Sequence, residues 1–316
     1  MTEQNSKKIY GLLGRNISYS LSPAMHNAAF EKFDPSSKYK IFDKKPEELK
    51  SFFENEVLTG KISGLNVTVP YKIKVKEMLE ENAEKWSVFI DEYVKFAQAV
   101  NTIKVEKDRI IASNTDMEGF KDSLNEDAHV SWGDKKVFIV GAGGAGRAIS
   151  LFISTSGDKK EDGTWPKLTK VTDVDLDKLM DLEVLFSRFW HDEKMFVPVK
   201  TEDISKEIQD CDLVINATPL GSKEGDPMPI SPDCLKKGMT VYDLVYARET
   251  ELVKAAKEKG LTAVGGLGML VSQGARSFCS WTKDNNNEWY PVSDYFNEVK
   301  NIMRKKALEE LRKRKA

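Results

Sequence analysis

Three glycines at Gly141, Gly143 and Gly146 follow the apolar run Lys136-Val137-Phe138-Ile139-Val140 and precede the helical stretch Arg147 to Ile153. A strand, a glycine turn and a helix in that order suit a dinucleotide. The glycines let backbone approach a pyrophosphate, and the helix N-terminus offers free N–H groups to its charge. The bland reading is a turn that only packs helix on strand. The next strand ends Val171-Thr172-Asp173-Val174-Asp175, with no Arg or Lys from Val171 until Lys178. An aspartate there accepts a ribose hydroxyl and repels a 2′-phosphate, so Asp173 favours NAD over NADP. Its distance from Gly146 exceeds the usual ~20 residues, and a surface insertion over Thr155 to Trp165, rich in Gly, Asp and Lys, accounts for the excess. The competing role for Asp173 or Asp175 is to cap a helix that starts near Leu176.

The first third of the chain carries a second set of reactive side chains. Ser20 and Ser22 flank Leu21 just ahead of a helix expected over Ser22 to Phe30, with Ser22 as its cap and Pro23 in its first turn. Two hydroxyls beside helix N–H groups suit a carboxylate; simple capping is the alternative. Lys72 follows Pro70-Tyr71 at the end of an apolar strand, a place where an isolated lysine is ordinarily solvated. Asn114-Thr115-Asp116 ends a strand, and its ordinary role is turn chemistry.

The elements that must position these residues read as two α/β domains. Strands are expected at Ile9–Leu13, Tyr39–Phe42, Gly64–Val69, Val100–Val105 and Arg109–Ala112, the last two as a hairpin, with a helix over Pro46–Asn55. From Lys136 onward, apolar strands at 136–140, 170–172, 213–217, 240–243 and 261–264 alternate with helices, the pattern of a parallel sheet covered on both faces. The division is an N-terminal α/β substrate domain, 1–117 with returning helices from 268–316, and a Rossmann-type doubly wound cofactor domain, 118–267. The tail from Gly268 is expected to be helical apart from a loop at Asn285-Asn286-Asn287.

Composition narrows the partners. The 48 basic and 50 acidic residues leave a net charge of −2, which gives no reason to expect nucleic acid. The one basic run, Arg304 to Lys315, reads as the polar end of a terminal helix. No apolar leader or membrane span is evident, and three isolated cysteines suit free thiols in a reducing cytoplasm. His26, His129 and His191 lie too far apart to suggest a metal. The partner is a small molecule, with a monomer or homodimer expected.

Taken together the motifs resemble the shikimate dehydrogenase family. Eight match in the family's order: Gly14 to Pro23, Asn66 to Lys72, Ala99 to Thr102, Asn114 to Asp116, Gly141 to Ala148, Asn216 to Pro219, Tyr242 to Tyr246, and Gly268 to Ala275. The resemblance implies NAD(P)-dependent, reversible reduction of 3-dehydroshikimate to shikimate on the route to chorismate and the aromatic amino acids. It implies that Lys72 exchanges the proton at C3 with Asp116 beside it, while hydride passes between C3 and the nicotinamide. Ser20, Ser22 and Tyr246 would hold the substrate carboxylate, and Thr68, Asn101, Asp116 and Gln273 the ring hydroxyls. Gly141, Ala142, Gly143, Gly144, Ala145, Asp173, Thr218, Leu244 and Gly266 would line the cofactor site. One departure stands out. Family members that use NADP carry a basic pattern where this chain has Asp173-Val174-Asp175, and NAD-using quinate/shikimate dehydrogenases carry an acid. The serine at position 22 favours shikimate, since quinate-preferring relatives often have threonine there.

Overall fold

A computed structural model describes residues 7–155, 165–189, 195–282 and 293–315. Its contacts divide the chain into two units, 1–119 with 271–316 and 120–270. The insertion expected over 155–165 lies almost wholly outside the described residues, as do Asn285, Asn286 and Asn287.

The first unit is built on a mixed sheet in the order β2-β1-β3-β5-β6-β4. Its strands are β1 (Ile9–Gly14), β2 (Lys38–Asp43), β3 (Gly64–Val67), β4 (Val88–Ile90), β5 (Thr102–Val105) and β6 (Ile110–Ser113). β1 runs parallel to β2 and β3, and β5 runs antiparallel to β3 and β6. Both faces are covered, which is why β1 and β3 read as continuous apolar runs rather than as alternating ones. Leu13, Phe53, Leu65, Val67, Val75, Leu79 and Ile103 fill one side. Stacked rings fill another region: Tyr10 lies 4.8 Å from Phe30 and 5.0 Å from Trp281, and His26 stacks on Tyr39 at 4.2 Å. Trp281 comes from the helix Leu267–Thr282, and its indole N–H donates to Ile103 O (3.0 Å).

Several local expectations need correction. The strand after Gly64 stops at Val67 rather than Val69, because the Tyr71 N–H turns back to Thr68 O (2.9 Å). Leu21, not Ser22, occupies the cap of helix Ser22–Phe33, and the Ser22 N–H is taken by Ser20 Oγ (3.2 Å). The helix expected over Pro46–Asn55 is a composite of a 3-10 turn at Pro46–Glu48, an α turn at Leu49–Phe52 and a π turn at Phe53–Val57. β4 and the helix Glu92–Ala97 were not foreseen. That helix is capped by Asp91, whose carboxylate accepts from the Val94 N–H (2.8 Å).

The second unit is an all-parallel sheet ordered β12-β11-β10-β7-β8-β9. It comprises β7 (Lys136–Val140), β8 (Leu168–Thr172), β9 (Phe196–Val199), β10 (Leu213–Asn216), β11 (Thr240–Asp243) and β12 (Thr262–Gly265). Chain order reverses between β7 and β10, the switch point at which doubly wound sheets bind ligands. Phe138, Val214, Val241, Leu252 and Ala256 form part of the core on one face. No described helix is long and apolar enough to cross a membrane.

Candidate active site

Strand direction explains how distant sequence motifs meet in the first unit. β1 and β3 are parallel with Leu13 opposite Val67, so the segments that begin at Gly14 and Thr68 leave the same sheet edge. β5 is antiparallel to β3, and Asn66 faces Thr102, so Asn101 enters at that edge. β6 is antiparallel to β5 with Ser113 opposite Thr102, so Asn114-Thr115-Asp116 leaves there as well.

Lys72 is the first residue of helix Lys72–Glu81, and Asp116 is the first of helix Asp116–Ser123. An ammonium at the positive end of a helix is badly placed alone, whereas a carboxylate is well placed. The two side chains meet at 2.6 Å, with 13% and 4% of their surfaces exposed. Asp116 is fixed from behind. Its other oxygen accepts from Asn101 Nδ2 (2.9 Å), and its backbone N–H donates to Asn114 Oδ1 (3.0 Å). Asn101 is itself locked: its Oδ1 takes bonds from the Thr115 N–H (2.8 Å) and the Thr102 hydroxyl (2.9 Å). That leaves Asn101 Nδ2 facing Asp116 and, at 3.4 Å, Gln273 Oε1. Lys72, Asn101, Asp116 and Gln273 thus form one connected group. Gly119 lets the Gln273 helix approach, since a Cβ there would meet Gln273 Cβ at 2.8 Å.

Ser20 and Ser22 form a second group. Both are buried, and the Ser20 hydroxyl donates to Ser22 Oγ (3.1 Å). Thr68 links β3 to β1 through its N–H to Leu13 O (2.9 Å) and lies against Gly14. Ser277 and Tyr39, outside the matched motifs, support the first group together with Asn66. Ser277 Oγ contacts Thr102 Oγ1 (2.8 Å) and accepts from Asn66 Nδ2 (2.8 Å), while the Tyr39 hydroxyl donates to Asn66 Oδ1 (2.9 Å). Ser277 sits one helical turn after Gln273, so the i,i+4 spacing was a usable signal.

In the second unit the residues expected to line a cofactor site lie at the carboxyl ends of β7, β8, β10, β11 and β12. Gly141 has φ +106°, open to glycine and strained for other residues. A Cβ on Gly146 would run into Gly141 O, while nothing lies within 4 Å of one built on Gly143. The turn is therefore closed on its inner side and open on its outer one, and helix Gly144–Thr155, including Ala145, starts from it. That cradle fits a pyrophosphate. Asp173 bonds the turn itself: its carboxylate accepts from the Ala142 N–H (2.7 Å) and the Asp175 N–H (2.9 Å). The capping alternative falls to Asp175, which accepts from the Lys178 N–H at 3.4 Å.

Thr218 is held by Asn216, whose Oδ1 accepts from its N–H (3.0 Å) and its hydroxyl (2.7 Å). Asn216 also donates to the buried Asp243 carboxylate (2.9 Å), which takes further bonds from the Thr250 hydroxyl (2.6 Å) and the Val245 N–H (3.0 Å). Burial raises the Asp243 pKa despite those three donors. The Leu244 N–H reaches Asn216 O (2.9 Å), and Gly266 packs so close to Leu244 O that a side chain has no room. Tyr246 is half-buried in the segment that follows Leu244.

Residues 12–103 match the shikimate dehydrogenase substrate binding domain. The chain is 34% identical over 307 residues to the shikimate dehydrogenase (NADP(+)) of Methanopyrus kandleri, covering 96% of each. It is 34% identical to that of Bacillus cereus, covering 87% of this chain and 93% of the relative. Among solved structures, a shikimate dehydrogenase in complex with NADP+ superposes with a TM-score of 0.78 at 29% identity, covering 98% of each chain. The quinate dehydrogenase of Corynebacterium glutamicum in complex with NAD gives 0.77 at 26% identity, covering 96% of this chain and 99% of that one. On matched sequence over nearly its whole length, the chain belongs to the shikimate dehydrogenase family.

Proposed function

We propose that this protein catalyses the reversible NAD(P)-dependent reduction of 3-dehydroshikimate to shikimate, with Lys72 as the proton donor and Asp116 as its partner. The observation that carries the reading is the shielded Lys72–Asp116 pair at 2.6 Å, held in register by Asn101. When bound, the reduced nicotinamide supplies the hydride. Lys72 passes a proton to the C3 oxygen as negative charge develops on it, which turns the ketone into a secondary alcohol. In the oxidative direction Lys72 must first be neutral to take the hydroxyl proton. Asp116 holds the ammonium in place and, with Thr68, Asn101 and Gln273, meets the ring hydroxyls. Ser20 and Ser22 receive the carboxylate.

Gly141, Ala142, Gly143, Gly144 and Ala145 are proposed to cradle the pyrophosphate, with Thr218, Leu244 and Gly266 supplying the adjoining wall. Asp173 is proposed to favour NAD over NADP, since a second negative group beside its carboxylate is repelled and no base precedes Lys178. Lys178 pairs with Asp175 at 2.9 Å. The relatives named above for NADP(+) make this the sharpest point to test. Asp173, together with the likeness to an NAD-bound quinate dehydrogenase, also supports a second reading in which quinate is a substrate.

Initial rates with shikimate and with quinate, each with NAD and NADP, decide among these. Shikimate with NAD should give the highest kcat/KM. No turnover of shikimate with either cofactor would overturn the main reading, and a tenfold advantage for NADP would overturn the role given to Asp173.

A further inference from the structure

The last helix, Asp294–Lys315, ends in the basic cluster Arg312-Lys313-Arg314-Lys315. Composition alone makes that a solvated helix end. Its placement in the first unit says more. Lys32, near the end of helix Ser22–Phe33, pairs with Glu298 near the start of the last helix. At the opposite end, Arg314 Nη1 donates to Tyr19 O (2.7 Å). The two helices therefore run antiparallel, and the basic end of one arrives at the entry of the other. Val299, Met303 and Ala307 are buried and anchor the last helix along its length.

Tyr19 O belongs to the peptide bond that carries the Ser20 N–H. Arg314 thus grips the backbone immediately before the hydroxyl pair Ser20–Ser22. Its charge is not spent elsewhere. Lys306 pairs with Glu309 and Glu310, and Lys313 pairs with Glu310, but among the described residues Arg314 meets no carboxylate. A guanidinium has five N–H donors, so one bond to a carbonyl leaves most of its capacity and all of its charge available. The segment it grips begins with Asn16 at φ +55°, is closed by the Ser20 N–H to Ile17 O (3.0 Å), and has an exposed Tyr19 ring.

We infer that Arg314 is a positioning and specificity residue for the anionic end of the substrate: it pins the peptide that presents Ser20 and sets a positive charge beside the serine pair. This rests on the reading of Ser20 and Ser22 as the carboxylate site. The competing role, neutralising the negative end of a helix dipole, affects stability and is blind to the charge of the substrate.

The test compares shikimate with its methyl ester, which keeps the ring and loses the charge. Arg314→Ala should raise KM for shikimate about fivefold, in keeping with an exposed charge next to its partner, while kcat changes less than twofold and KM for the ester hardly moves. Arg314→Glu should raise it further, Arg314→Lys should restore most of it, and added salt should narrow the gap between Arg and Ala. Equal effects on acid and ester would overturn the inference. So would an unchanged shikimate KM in Arg314→Ala while Ser20→Ala/Ser22→Ala raises it. If the serine variants also leave KM unchanged, the carboxylate assignment itself falls, and the inference falls with it.

Discussion

Asp116→Asn is expected to damage the fold as well as the chemistry, and by a calculable amount. At 2.6 Å the Lys72–Asp116 attraction is about 6 kcal/mol with an effective dielectric constant near 20. Much of that offsets the cost of taking both groups out of water. Removing one partner of such a pair leaves the other charge buried and costs ~3–5 kcal/mol. Lys72 keeps 13% of its side-chain surface exposed, which places the loss near the lower end, about 3 kcal/mol. Asparagine also turns an amide N–H towards an ammonium, donor against donor, unless it gives up the bond from Asn101. At ~2–4 °C per kcal/mol for a unit of this size, the first unit should melt roughly 6–12 °C lower. The variant Lys72→Met/Asp116→Asn removes the stranded charge and should melt well above Asp116→Asn, giving a coupling of about 2 kcal/mol. Differential scanning calorimetry at neutral pH, which separates the transitions of two units, is the assay. An Asp116→Asn protein that melts within a degree of the parent, or a double variant that melts no higher than the single, would refute the account of this pair as a shielded charge couple.

Lys72→Ala should lower kcat by about 10²–10⁴ with a smaller change in substrate affinity, since the proton donor acts in the transition state; steady-state rates and equilibrium binding of shikimate check it. His26, wholly buried against Tyr39, has its pKa pushed down by burial to about 3. The unfolded chain therefore takes up a proton near pH 6.5 that the native one refuses, and stability should fall by up to ~1.4 kcal/mol per pH unit between about 6.5 and 3. His26→Phe should flatten that part of a urea-unfolding series against pH, and an unchanged slope would contradict it. Gly146→Ala places a methyl against Gly141 O and should abolish measurable cofactor binding while shikimate still binds, by calorimetric titration. Thr250→Val strips the hydroxyl from the Asp243 carboxylate and should cost about 1–3 kcal/mol in the second unit, read by its separate melting transition.

The sequence displays the central strands well because β1, β3, β7, β10 and β11 are buried on both faces, so apolar runs stand out without any need for alternation; β9, at a sheet edge, and β4 escape it. It displayed the cofactor turn for a related reason, since Gly141 and Gly146 occupy positions where backbone geometry excludes a side chain. What it hid were features decided by distant partners. Val88-Phe89-Ile90 is a strand because β6 lies beside it; Val88 and Ile90 pack on the core and Phe89 is exposed, but all three are apolar, so the sequence shows no alternation. The expected strand Gly64–Val69 is too long because no glycine or proline interrupts Val67-Thr68-Val69, and the turn that ends it is a backbone bond. The support behind the Lys72–Asp116 pair is half legible. Asn66, Asn101 and Gln273 lie in recognisable motifs, but Ser277 and Tyr39 do not, and Ser277 acts through a contact 211 residues away in sequence. Asp173 was read for its charge, and its grip on the Ala142 N–H depends on β7 and β8 being neighbours.

The first unit is discontinuous, and synthesis on the ribosome is vectorial. Gln273, Ser277 and Trp281, which complete the Lys72–Asn101–Asp116 group and the ring stack, are translated after all of residues 120–270. A nascent chain can thus finish its second unit while the first still lacks a core helix, so the order of maturation is the reverse of the order of translation. Until the closing residues emerge, residues 1–119 wait with the rings of Tyr10 and Phe30 lacking their partners Trp281 and Phe278. That interval is when chaperones have most to guard in this molecule.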